Sequence, residues 1–268
     1  MTGAAGSGKS TLVAALAKEA RRRGLSVGVL AVDPSSPFTG GAILGDRVRM
    51  SDLSDDAGVF IRSMAARGEP GGLCKAAAAG IDLMRAAGKQ LVLVETVGVG
   101  QDEVDVMRVA HTTVVVSVPG LGDDVQMLKA GLFEIADIHV VNKADREGAG
   151  ETMAQIRAML ALNSNHRERW QPPVLETIAL RNQGVTALLD ATILHAAHLR
   201  ESGELQRRER RMAEWRVLKL AQSMVAETIR RPGAAAGSLD MEFDRVARRD
   251  LSPYLCAKKL LDRATGES

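Results

Sequence analysis

The first eleven residues, Met1-Thr2-Gly3-Ala4-Ala5-Gly6-Ser7-Gly8-Lys9-Ser10-Thr11, decide how the rest of the chain is read. Gly3 to Ser10 fit the spacing GxxxxGK[ST] of a phosphate-binding loop. Glycines at 3, 6 and 8 let the backbone bend, so that N–H groups from Gly3, Ala4, Ala5, Gly6, Ser7 and Gly8 turn toward one anion. Lys9 then reaches the β- and γ-phosphates, and Ser10 offers its hydroxyl oxygen to Mg²⁺. Ser10 and Thr11 open a helix whose N-terminal dipole favours negative charge. A loop of this kind normally hangs from the end of a buried strand, yet only Met1 and Thr2 stand before it. The later apolar runs all have places of their own. The expectation is a chain shortened at its N-terminus, with Met1-Thr2 as the last rung of the missing strand. Such a sheet has an open slot, which predicts low stability and weak nucleotide binding.

Outward from the loop, strand and helix patterns alternate to about residue 200. Ser10 to Arg23 reads as a helix ended by Gly24. Continuous apolar runs follow at 26–32 (SVGVLAV), 90–95 (QLVLVE), 112–118 (TTVVVSV), 138–141 (IHVV) and 174–178 (VLETI), with a short one at 59–61. Helical patterns lie between them at 73–87, 126–136, 151–162 and 185–200. Apolar strands flanked by helices predict an α/β fold with a mainly parallel sheet covered on both faces. At Gly203 the character changes. Residues 204–231 have no Gly or Pro and place Met212, Trp215, Leu218, Ala221, Val225 and Ile229 at steps of three and four, the stripe of one long helix. Two short helices follow, around 241–246 and 253–261. The domains are therefore read as 1–203 and a C-terminal helical arm, 204–268.

The bulk composition excludes several classes. With 268 residues, 46% hydrophobic and 25% charged, the chain is an ordinary globular one. A net charge of +2 gives no ground for a nucleic-acid partner. The long helix is basic, but its apolar stripe favours a partner helix over nucleic acid. No apolar run approaches the roughly 20 residues of a membrane span. Cys74 and Cys256 are far apart and form no CxxC, and the loop begins at once without a leader, so a reducing, cytoplasmic protein is expected.

Two further motifs follow the loop in order. Glu95-Thr96-Val97-Gly98 ends the strand QLVLV. A carboxylate at Glu95 suits a water on Mg²⁺, and the Gly98 N–H suits a γ-phosphate. Asn142-Lys143-Ala144-Asp145 follows IHVV and has the NKxD pattern of guanine readers. Asp145 accepts from the ring N–H and the amine of guanine, which adenine does not offer there, and a site built on such bonds rejects the wrong base by about 10⁴-fold or more. Asn142 ties the loop together and the Lys143 stem covers the base. After the last strand, Ala179 and Leu180 stand where GTPases carry an S-A-x loop, with Ile178 in place of the serine. Together the motifs read as a GTPase.

The words between the motifs are more particular. AVDPSSPFTGGAILGDRVRM (31–50), FIRSMAARGEPGGL (60–73), VETVGVGQDEVDV (94–106), GDDVQMLKAGLFEIADIHVVNKAD (122–145) and SPYLCAKKLL (252–261) closely resemble the MeaB/ArgK-type GTPases. These are G-protein chaperones of adenosylcobalamin-dependent acyl-CoA mutases such as methylmalonyl-CoA mutase. The resemblance implies a SIMIBI-type GTPase domain, GTP/GDP and Mg²⁺ as ligands, a homodimer through the C-terminal helices, and a mutase partner whose cofactor loading is gated and protected. It also implies that Asp33, Asp46 and Glu95 join Ser10 around Mg²⁺ and its waters, that 98–103 is a switch, and that 122–131 with Lys129 is a further switch that meets the mutase. The phosphate loop departs from the family in lacking a proline, and the family's N-terminal helical extension is absent.

Val99 stands where Ras-like proteins carry a water-positioning Gln, and Gln101 comes two residues later. Slow intrinsic turnover is expected, with Arg47, Arg49, Arg62 and Arg67 as candidates for transition-state contacts. Two other readings remain open at this point: a nickel-serving metallochaperone GTPase, for which Cys/His ligands are lacking, and an ArgK-like kinase or ATPase linked to amino-acid transport.

Overall fold

The computed structural model describes residues 1–34, 50–53, 55–66, 72–96, 108–120, 132–162, 170–230 and 236–265. They divide into two compact units, Met1–Met212 and Ala213–Ser268.

The first unit alternates helix and strand: α1 (Lys9–Arg22), β1 (Val27–Pro34), β2 (Val59–Ala66), α2 (Gly72–Ala86), β3 (Leu91–Glu95), β4 (Val114–Ser117), α3 (Leu132–Ile135), β5 (Ile138–Asn142), α4 (Ala149–Leu162), β6 (Val174–Thr177) and α5 (Val185–Glu201). The apolar runs are strands because both of their faces are buried: β4 and β5 are buried at every position. The second strand is longer than its apolar run suggests, because Arg62 and Ser63 continue the pairing with β1. As an edge strand, β2 needs less apolar character.

Among the described residues all strand ladders are parallel, in two three-stranded sheets ordered β2-β1-β3 and β4-β5-β6. Met1 and Thr2 join them. Thr96 N–H donates to Met1 O (3.1 Å), Thr2 N–H donates to Val114 O (3.0 Å), and Val116 N–H donates to Thr2 O (2.9 Å). One rung, Thr2 beside Val115, thus stands between β3 and β4. On one face, Leu12, Val13 and Leu16 of α1 and Leu188 and Leu189 of α5 pack on Val29, Leu93, Val116 and Val140. On the other, Met153 and Ile156 of α4 cover Val141 and Val174, and Met84 of α2 lies against Gly28 of β1. The α/β class with helices on both faces is therefore observed. The C-terminal ends of the strands gather on one side, where ligands bind in such sheets.

The long helix α6 (Glu204–Arg230) begins in the first unit. Its Arg208 forks onto Asp137, just before β5, with bonds of 2.8 and 2.9 Å. Asp137 Oδ2 also accepts the Thr113 N–H at 2.8 Å. Beside it His195 is fully buried, its Nδ1 2.9 Å from Thr112 Oγ1, with the Trp170 ring against it. The rest of α6 lies in the second unit with α7 (Ala236–Ala247) and α8 (Pro253–Thr265), and α7 and α8 meet through Glu242 and Lys259 (3.9 Å). Of the apolar stripe on α6, Met212, Trp215, Val225 and Ile229 are half-buried, whereas Leu218 and Ala221 are exposed. No described helix is long and apolar enough to cross a membrane.

Candidate functional site

The phosphate loop leaves the Met1-Thr2 rung and turns directly into α1. Gly3, at φ 136°, lies so close to β4 that a Cβ there would sit 2.2 Å from Val116 O. Gly8, at φ 86°, leaves room for Asn142, whose Nδ2 would be 2.5 Å from a Cβ. Only glycine satisfies both the dihedral and the approach at these two positions. Ala5 and Gly6 face outward, Ala4 is half-buried, and Ser7 is buried. Ser7 N–H closes the turn on Ala4 O (3.2 Å), and Leu12 N–H makes the first helical bond to Gly8 O (2.9 Å). Lys9 reaches back across the loop, its Nζ donating to Gly3 O (2.7 Å) and Ala4 O (2.9 Å). That holds a buried cation against the carbonyl oxygens of the loop, at the N-terminal end of α1, where a helix dipole favours an anion.

The end of β3 meets this loop. Ser10 Oγ donates to Glu95 Oε1 at 2.5 Å, and Glu95 is buried. A hydroxyl and a carboxylate 85 residues apart in the chain are thus adjacent. Asp33 is in β1, two positions beyond Ala31, which pairs with Glu95 across the ladder. Asp46 and Gly98 lie outside the described residues, as do Val99, Gln101, Lys129, Arg47, Arg49 and Arg67. Arg62 is exposed at mid-strand on β2, not at the strand ends that carry the loop.

The NKAD segment closes the other side. Asn142 is buried and joins three segments: its Nδ2 donates to Ser7 O (2.9 Å), and its Oδ1 accepts from Thr177 Oγ1 (3.0 Å) and from the Ala179 N–H (3.2 Å). Lys143 holds φ 58° and sends Nζ to Gly6 O (2.7 Å), which lays its stem between the two loops. Asp145 sits across from Arg181, with Oδ2 3.8 Å from Nη2. A cleft of ≈ 330 Å³ opens between them, lined by Gly8, Thr11, Lys143, Asp145 and Ala179, with Leu180 87% exposed at its rim. Its lining is largely apolar and its mouth carries both charge signs, a combination that suits a flat heterocycle.

The family model described as "Methylmalonyl Co-A mutase-associated GTPase MeaB" matches residues 1–233. The chain belongs to the MeaB family of GTPases. A Pyrococcus abyssi protein named as a GTPase is 48% identical over 268 residues, covering 99% of this chain and 82% of the relative. The mouse protein named methylmalonic aciduria type A homolog, mitochondrial, is 32% identical over 264 residues, 97% of this chain and 64% of the relative. A solved structure described as an LAO/AO transport system kinase has 31% identity and a TM-score of 0.69, covering 98% of this chain and 80% of that one.

The chain is thus a P-loop GTPase, and guanine-nucleotide binding comes with the family. The motifs are joined by residues that no sequence pattern marks. Thr177, at the end of β6, buttresses Asn142, and Arg181 faces Asp145. Position alone is their signal: they stand on either side of Ala179 and Leu180, the part of the last loop that the motif pattern marks.

Proposed function

We propose that this MeaB-family GTPase binds GTP and GDP with Mg²⁺ at this site and acts as a G-protein chaperone of an adenosylcobalamin-dependent acyl-CoA mutase. The observation that carries the nucleotide part is the Asn142 hub. One buried amide fixes the phosphate loop, the guanine-reading loop and the last loop in one frame. Support for the mutase is the family's own description and the mouse relative's name.

In this reading the base lies in the cleft with its donors toward Asp145, the Lys143 stem on one face and Leu180 at the rim. The backbone N–H groups of Gly3 to Gly8 and the Lys9 ammonium hold the phosphates. Ser10 and Glu95 fit Mg²⁺, being adjacent hard oxygen donors beside the phosphate loop, with Asp33 and Asp46 completing the shell. When bound, the ion neutralises charge on the phosphate oxygens. Lys9 neutralises the charge that builds on the leaving phosphate, and the Gly98 N–H orients the γ-phosphate. Val99 has no group to position a water, so intrinsic turnover is slow and the mutase accelerates it by ordering the switch around 122–131, Lys129 included. The second unit forms a homodimer: Leu218, Met224, Phe243 and Leu255 are at least half exposed and need a cover. A monomer mass by light scattering at micromolar concentration would refute the dimer.

The test is turnover of labelled GTP, with and without an adenosylcobalamin-dependent acyl-CoA mutase. Free phosphate, released at least about tenfold faster with the mutase, is expected. Label transferred to a protein would replace the chaperone reading with a kinase, and an unchanged rate would remove the mutase.

A further inference from the structure

Ser10 lies in the first turn of α1 and Glu95 ends β3, so the 2.5 Å contact between them depends on how the end of β3 is held against the phosphate loop. A holding point lies one residue beyond the carboxylate. Thr96 is 3% exposed and Thr2 is fully buried. Thr96 Oγ1 donates to Thr2 Oγ1 at 3.1 Å and lies 3.4 Å from Met1 O. Thr2 is a fixed post for this bond. Its N–H donates to Val114 O (3.0 Å), its O accepts from the Val116 N–H (2.9 Å), and Gly3 beyond it is pressed on Val116 O. Backbone bonds tie β3 to Met1 as well, from the Met1 amino group to Val94 O (2.6 Å) and from the Thr96 N–H to Met1 O (3.1 Å). The hydroxyl pair carries that tie one residue further, onto the residue that enters the loop.

We infer that Thr96 is a positioning residue for the Mg²⁺ pair: its buried hydroxyl fixes the end of β3 on the root of the phosphate loop and so holds Glu95 at Ser10. The inference rests on the reading of Ser10 and Glu95 as oxygen donors around Mg²⁺ and its waters. Side-chain bonds join the loop to β3 at its root, where Thr96 meets Thr2, and at its exit, where Glu95 meets Ser10. Without the root bond the strand end can pivot, and the carboxylate moves with it. Mg²⁺ is sensitive to such movement, because it takes oxygens only at about 2 Å and in near-octahedral geometry. The backbone N–H groups and the lysine that hold phosphates tolerate far more, since hydrogen bonds span a range of lengths. Valine would fill the space of either threonine without a polar atom to satisfy, yet threonine stands at both positions and one hydroxyl answers the other.

The test is calorimetric titration with a non-hydrolysable GTP analogue, once in saturating Mg²⁺ and once in EDTA. The ratio of the two affinities reads how well the metal pair is set, apart from how the loop and the base cleft bind. Thr96→Val, which replaces the hydroxyl with a methyl group, should lower that ratio about tenfold and change the affinity in EDTA by less than about twofold. Thr96→Ser keeps the hydroxyl and should keep the ratio. Thr2→Val breaks the same bond from the other side and should lower the ratio alike, which reads the inference even where Thr96→Val does not fold. In the double variant the two losses should not add. If the affinity in EDTA falls as far as that in Mg²⁺, or the ratio holds in both valine variants, the inference is overturned. It is overturned too if Thr96→Ser loses as much as Thr96→Val, since the methyl group would then be responsible. If the ratio is about one in the unaltered protein, the Mg²⁺ reading of Ser10 and Glu95 fails first and takes the inference with it, a result seen without any variant.

Discussion

Gly3 and Arg249 both hold the backbone at positive φ, 136° and 65°, in two units with different sources of stability. Gly3 is itself buried and lies against Val116, which has no exposed surface, as Leu12 and Val140 of the same core have none. Around Arg249 almost nothing is buried. Beyond Met212, only Cys256 and Glu242 are fully buried among the described residues. The first unit is held by apolar burial and by polar groups satisfied inside it. In the second, helix-local bonds and caps carry a larger share of the stability. Positive φ should therefore matter greatly in one and little in the other.

The largest effect is expected at Gly3. A methyl group there would meet the backbone oxygen of Val116, which cannot swing away as a side chain does. Gly3→Ala should cost more than about 3 kcal/mol, from overpacking and dihedral strain together. It should also displace the phosphate loop, and GDP binding should fall by at least about a hundredfold. Chemical denaturation and calorimetric titration measure the two losses. A variant that keeps both properties would show that the loop is not pinned to β4, and the comparison would lose its first half.

Acid should separate the units next. Burial drives the pKa of His139 down to about 4, and the same burial lowers His195 to about 4 although Asp137 pulls it upward. A base whose pKa is depressed in the folded state binds fewer protons there than in the unfolded chain. The stability it confers is thus complete above about pH 6.5 and is lost as pH falls toward 4, by about 3 kcal/mol per histidine. All five histidines precede Met212, so the second unit has none to titrate. Trp170 and Trp215 lie one in each unit. In Trp215→Phe the remaining signal should report unfolding between pH 6 and 4, whereas Trp170→Phe should report little change there. Simultaneous loss of both signals at one pH would mean that the second unit's structure depends on the first.

What the sequence made legible follows from range. The phosphate loop, the strands and NKAD are local patterns, and each takes the place expected of it because its neighbours are apolar on both faces. The meeting of Ser10 with Glu95 was legible because two local motifs of one fold must converge. The Asn142 hub was legible only in part. Its role as a tie could be named, but Thr177 as the buttress has no motif. The division of the chain was harder still. The composition changes at Gly203, Arg208 beyond it bonds Asp137, and the compact units divide after Met212. A single arginine in a basic helix looks like every other until its partner is known. A deletion meant to remove the second unit should accordingly begin at Ala213, since one that begins at Glu204 would leave Asp137 buried without its arginine.

The smallest effect belongs to Arg249. It follows α7 in the left-handed conformation, with the Arg249 N–H on Val246 O (3.0 Å) and the Asp250 N–H on Arg245 O (2.8 Å), the paired bonds that end a helix. Such a position favours glycine, because a Cβ crowds the following carbonyl by roughly 1–2 kcal/mol. Arg249→Gly removes that crowding, but glycine also gives the unfolded chain more freedom, which offsets roughly half of the gain. The net expectation is stabilisation of the second unit by about 0.5 kcal/mol. Arg249→Ala keeps the Cβ and should show no such gain, which separates backbone relief from loss of the charge. Thermal unfolding followed at Trp215 reads both variants. Equal changes in the two would assign the effect to the side chain. A loss of stability in Arg249→Gly alone would mean that backbone relief at this cap is too small to outweigh glycine's freedom in the unfolded chain.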